Sequence, residues 1–285
     1  MEIAESIQKA ADATEAAMNF KIDVLQGDGI ALLGLLAVIA VAIAGYQVAT
    51  DPNGNMRKLM SKVIVLILSL GILSWVVGAG FGTIFVEGID ASLSKAADKL
   101  FKGAASREGM VVAAEAWTQI YTSIADAFGR IYEDAGMFDV LTVTAQNLPA
   151  IIALVVSICL IVLNMMAFFS LQALSVMLVK LALLIAPLFL PWALFSQTSF
   201  LAAGWLRFFL QASLLKVLAA GLLMVSVKMV KALAGMMSPD VDPLESFFIA
   251  VSISGVMLTI LIVTAKIPQY AKELVSAGIA RSGLH

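Results

Sequence analysis

Three side chains stand where a polar group is costly and therefore informative. Lys180, Lys216 and Asn164 each lie inside a long apolar run. A charge at mid-membrane costs about 3 kcal/mol or more unless it snorkels or faces water. Lys180 and Lys216 are thus candidates for lining an aqueous path or contacting lipid head groups. The plainer account is that each long side chain snorkels, or meets a carbonyl freed by a nearby proline. Asn164 reads as an interhelical hydrogen bond. Other carriers of chemistry are scarce. The one histidine is the last residue, His285, which removes histidine-based metal sites and triads from consideration. The one cysteine, Cys159, sits in IIALVVSICLIVL, where it reads as a small buried hydrophobe and forms no intrachain disulfide. No nucleotide-binding P-loop, HExxH, GxSxG, CxxC or EF-hand pattern occurs. The expectation is a non-enzymatic chain with no catalytic or metal residues and no cofactor, bound phospholipid excepted. Any work it supports is powered elsewhere.

The elements that carry these residues are set by composition. Of 285 residues, 61% are hydrophobic and 13% charged, with a mean hydropathy of +0.99. Soluble domains average about 45–50% apolar and about 25% charged residues. A water-soluble core of this size cannot hide so much apolar surface, so lipid must solvate much of it. The net charge of −2 offers no basic field for nucleic acid.

Residues 1–28 begin with an acidic segment that lacks the basic start and apolar middle of a cleavable signal. Ile3, Ile7, Ala10, Thr14 and Ala17 recur at helical spacing, which predicts a short amphipathic helix packed on the rest of the chain. Residues 29–86 hold two spans. The first, Gly29 to Val48, is uncharged and matches the roughly 20 residues needed to cross hydrocarbon. Gly34, Ala37, Ala40, Ala44 and Gly45 in it permit close helix approach. A turn with Arg57, Lys58 and Lys62 leads to the second span, Val63 to Phe85, which ends in GAGFG with Gly78 and Gly82 as a GxxxG pair.

Residues 87–148 are too polar and interrupted to span, and predict a helical domain outside the membrane. Asp90 to Lys102 reads as one amphipathic helix and Glu108 to Asp134 as another. In the latter, Met110, Trp117, Tyr121, Ile124, Phe128 and Ile131, with Ala114 between, step 4-3-4-3-4-3. That spacing is a helix–helix seam, served either by an intramolecular hairpin or by a contact with another subunit or partner.

Residues 149–265 form a C-terminal membrane bundle. The nearly uninterrupted apolar stretch from Leu148 to Phe195 is long enough for two helices, and Pro187 and Pro191 predict a kink, break or re-entrant hairpin late in it. A further span carries Arg207 near its start and Lys216 inside. The acidic turn SPDVDPLES follows, then a last span from Phe247 to Val263 and a tail, 266–285. Short Lys/Arg-rich loops stay cytoplasmic, so Arg57, Lys58 and Lys62 place the N-terminus and residues 87–148 in the periplasm. Five crossings, with the Pro187/Pro191 segment not crossing, put Lys180, Arg207, Lys266, Lys272 and Arg281 towards the cytoplasm. Six crossings would put most of them outside, so five fit better. The fold class expected is an all-α integral membrane protein of about five spans.

LALLIAPLFLPWALF followed by GWLRFFLQ resembles the TrbL-type family, the polytopic inner-membrane subunit of bacterial type IV secretion and conjugation systems. The features that match are Pro187, Phe189, Pro191, Phe195, Trp205, Leu206 and Arg207. KIPQYAKELVSAG is similar to the family's closing segment at Pro268, Ala271, Leu274 and Gly278, and GYQVATDPNGNMRKLMSKVIVLIL to its first two helices and basic turn. The resemblance implies an external N-terminus, about five spans, a central periplasmic domain and a cytoplasmic end. It also implies a homo-oligomeric ring that meets other secretion subunits, pilin and minor pilin among them, and touches DNA or protein in transit. The competing class is a small-molecule transporter, but repeated halves are not seen.

Overall fold

A computed structural model describes residues 9, 25–50, 56–100, 107–132, 140–236 and 243–282. The expected N-terminal amphipathic helix, the loop around Pro52, the SPDVDPLES turn and the extreme C-terminus lie outside the described residues. Every regular element among the described residues is helical. In chain order they are α1 (Gln26–Thr50), α2 (Met56–Val77), a π-helix (Gly82–Asp90), α3 (Ala91–Leu100), α4 (Arg107–Arg130), α5 (Val140–Gln146), α6 (Leu148–Phe189), a 3-10 turn (Leu190–Leu194), α7 (Ser199–Ala234) and α8 (Pro243–Ser282). Four of these are long and apolar enough to cross a membrane, in α1, α6, α7 and α8. A fifth candidate is a bent pair, Val63–Val77 with Gly82–Lys99, inclined by 65°. Large apolar side chains such as Leu35, Val38, Ile67, Leu68 and Met166 are exposed along these helices. Water would not tolerate that surface, and acyl chains do. The chain is an all-α, multi-pass membrane protein.

Two expectations change. The Leu148–Phe195 stretch is not two helices: α6 runs unbroken for 42 residues. At 1.5 Å per residue that is about 63 Å, roughly twice the hydrocarbon thickness. Pro187 lies two residues before its end and cannot supply the N–H that would bond the Leu183 carbonyl, so the helix stops soon after it, and Pro191 enters the 3-10 turn that reverses the chain into α7. The proline segment is a terminating turn. A further break lies in the second span, where α2 stops at Val77 and the GAGFG glycines interrupt the helix before the π-helix begins. Gly78 and Gly82 therefore mark a bend, not a packing seam, and a Cβ on Gly82 would meet nothing within 4 Å.

The contacts fall into two compact units. One comprises the described residues of 96–175 and 215–274, and the other those of 17–95, 176–214 and 275–282. In the first, α4 shares a core with α6, α7 and α8: Trp117, Ile120 and Ile124 are buried with Leu154, Ile161, Phe168, Val230, Ile253 and Met257. α4 does not close a core of its own. In the second, Val77, Phe81 and Phe85 pack with Val179, Leu183, Ala186, Leu190, Trp205 and Phe209.

Candidate functional site

In the second unit the proline turn is the centre of a buried hub. Pro187 and Pro191 are buried, while Phe189 and Phe195 are half-buried. Thr198 Oγ1 donates to the Trp192 carbonyl at 3.0 Å and its backbone N–H to Phe195 O at 3.1 Å, which closes the turn. Trp205, on the second turn of α7, donates its indole N–H to the Ala182 carbonyl on α6 at 2.7 Å. Its ring stacks on Phe209 at 5.8 Å and meets Phe85 edge-on at 5.1 Å. Such aromatic pairs contribute about 0.5–1.5 kcal/mol each beyond their buried area. The tryptophan thus pins the start of α7 to α6 and to the π-helix. Arg207, two residues on, is exposed.

The first turn of α1 joins this hub at two points that carry no periodicity in the sequence. Gly29 is buried against Pro187: an added Cβ would lie 2.5 Å from the proline carbonyl oxygen and 2.6 Å from its Cβ. Only glycine allows that approach. Gly34 and Gly45, by contrast, face open space. Gln26 Nε2 donates to Val77 O at 3.1 Å and to Gly78 O at 2.6 Å, so its amide caps the carbonyls left by the interrupted helix. Next to it lies a cavity of about 280 Å³ lined by Gln26, Gly78, Ala79, Phe81, Gly82, Val86 and Glu87.

In the first unit the polar groups form rungs. Asn164 is fully buried and donates Nδ2 to the Met257 carbonyl on α8 at 2.9 Å, the interhelical bond expected of it. Ser157 Oγ lies 2.9 Å from Ala250 O and 2.8 Å from Ser254 Oγ. Both rungs join residues 93 apart in the chain, so α6 and α8 run parallel and in register. Ser157 has no distinguishing sequence signal, since serines are common throughout these helices.

The heptad stripe of α4 is covered by the chain itself. Trp117 is 2% exposed and packs on Phe168, with ring centroids 5.9 Å apart. Ala113, Ala116, Ile120 and Ala127 complete the buried face, while Tyr121 is 37% exposed and Phe128 and Ile131 lie at the margin. The buried face is therefore turned away from the line drawn through the large residues. Alanines carry the close approach, and a rule keyed on size passes over them. Of the described stripe residues, Trp117 and Ile124 are covered within the chain, Phe128 and Ile131 partly so, and Tyr121 is exposed. The Met110 side chain lies outside the described residues. Lys180 is half-buried in the second unit and Lys216 half-buried in the first. Cys159, expected to be buried, is exposed on the apolar surface of α6. Pro268 lies inside α8 and is exposed.

A family model for the TrbL/VirB6 plasmid conjugal transfer protein matches residues 37–266. The chain belongs to that family. No match to an individual curated protein accompanies it. The TrbL/VirB6 match takes in most of α1, the bent span, α4, the proline turn, Trp205, and α8 as far as Lys266. It stops short of Pro268, Ala271 and Leu274, so the resemblance of the tail to the family's closing segment rests on those residues alone. Membership makes this chain a component of conjugal transfer or type IV secretion.

Proposed function

We propose that the chain is an inner-membrane channel or scaffold subunit of a type IV secretion machine, which supports passage of DNA or protein and assembly of the pilus without converting a substrate itself. The observation that carries this reading is the TrbL/VirB6 match, which reaches into every candidate crossing. The N-terminus is periplasmic and the C-terminus cytoplasmic, because Arg57, Lys58 and Lys62 hold the first turn inside. Several copies assemble with pilin, minor pilin and the other secretion subunits, with lipid as the surrounding solvent. The protein is not an enzyme and needs no cofactor.

Transfer frequency tests the proposal. Deletion of the coding sequence is expected to abolish conjugative or effector transfer, and the wild-type chain supplied in trans to restore it. Transfer that survives the deletion overturns the reading. Gentle detergent extraction is expected to yield a complex of several copies, and a monomer that moves small solutes would favour a transporter.

A further inference from the structure

The cavity at the bend of the second span has a chemistry that selects its occupant. Its polar side chains are Gln26 and Glu87. Both donor bonds seen for the Gln26 amide go to Val77 O and Gly78 O, which leaves Oε1, an acceptor. Among the described residues Glu87 is the only charged group lining the cavity, and it has no hydrogen-bonded or ionic partner there. The rest of the wall is apolar side chain from Phe81 and Val86 with the small residues Gly78, Ala79 and Gly82. A group that fits must bring hydrogen-bond donors and positive charge on an aliphatic stem.

The depth of the cavity identifies the source. The uncharged run that starts at Val63 continues past the bend to Val86, and Glu87, Asp90, Lys95, Asp98 and Lys99 follow it. Gln26 and Asp28 likewise precede the uncharged run of α1, so the two polar side chains of the cavity stand where both apolar runs give way to the head-group layer. The abundant cation of that layer with N–H donors and a short stem is the ammonium of an aminophospholipid. We propose that the cavity binds the head group of phosphatidylethanolamine, its ammonium on Glu87 and Gln26 Oε1, with the phosphate left in the head-group layer. At about 280 Å³ the space far exceeds that of a single water. Phosphatidylcholine, which has no N–H, cannot satisfy the two acceptors.

The purified full-length chain, reconstituted in nanodiscs of phosphatidylethanolamine and phosphatidylcholine in equal amounts, is then examined for retained lipid by native mass spectrometry. Wild type is expected to retain phosphatidylethanolamine with about tenfold preference, as loss of a charge-assisted hydrogen bond implies. Glu87→Gln should remove the preference, while Asp28→Asn, an acidic change outside the lining residues, should keep it. Gly82→Leu gives an independent arm: its Cβ has open space, so the side chain fills the cavity while Glu87 stays. Loss of retention there supports the site. Equal retention of both lipids by wild type, or an unchanged preference in Glu87→Gln or in Gly82→Leu, overturns it.

Discussion

Asn164 on α6 holds the Met257 carbonyl on α8 at 2.9 Å, and two helical turns earlier Ser157 reaches Ala250 with the same offset of 93 residues. Residue numbers rise together on the two helices, so they cross in the same direction and α7 returns between them. The described residues hold four candidate spans, or five if the bent pair counts as one.

That rung predicts a graded effect. Asn164→Leu keeps the volume and removes the donor, and interhelical hydrogen bonds in membranes contribute about 0.6 kcal/mol on average. Thermal denaturation in detergent should show a lower midpoint by a few degrees with insertion intact. An unchanged midpoint for Asn164→Leu together with Ser157→Ala would deny the rungs a structural role.

Gly29 and Gly34 should behave in opposite ways. Gly29→Val drives a side chain into Pro187 and is expected to cost several kcal/mol, read as loss of extractable folded protein. Gly34→Ala, with open space at its Cβ, should be neutral or stabilising by up to about 1 kcal/mol. Equal tolerance at both positions would contradict the close approach.

Trp117→Ala empties part of the first unit's core and is expected to cost about 3–5 kcal/mol, destabilising the isolated chain. Tyr121→Ala, on the open edge of the same helix, should cost under about 1 kcal/mol. Limited proteolysis of both variants distinguishes this from a subunit seam, at which Trp117→Ala would change oligomer size while each chain stayed resistant.

Topology is tested by single cysteines in a Cys159→Ala background. Thr142→Cys, just before α6, is expected to react with a membrane-impermeant maleimide from the periplasm. Ser61→Cys, beside the basic turn, is expected to react only after lysis. Periplasmic labelling of Ser61→Cys would overturn the orientation drawn from Arg57, Lys58 and Lys62.

Lys180→Ala and Lys216→Ala separate a transfer path from simple snorkelling. If the lysines face an aqueous route or head groups essential to it, transfer falls by at least about tenfold at normal protein level, the equivalent of about 1.4 kcal/mol. Wild-type transfer in both variants would return them to a snorkelling role.

The membrane class, the helical content, the five apolar segments and the family were all legible in the residues, because hydropathy and a backbone that must satisfy itself in lipid are local properties. So was the polar role of Asn164, since an amide in an apolar run has few alternatives. What lay beyond the sequence depends on which surfaces meet. Proline chemistry predicted a kink, break or hairpin at Pro187 and Pro191, and α6 does end there, but the second interruption, at GAGFG, had no such signal. Large residues marked a seam on α4 without revealing that this chain covers it, or that alanines set its direction. Gln26 and Gly29 have no periodic signature at all. Their roles exist only because folding brings α1's first turn against an open helix end and a buried proline, contacts made across 51 and 158 positions of chain.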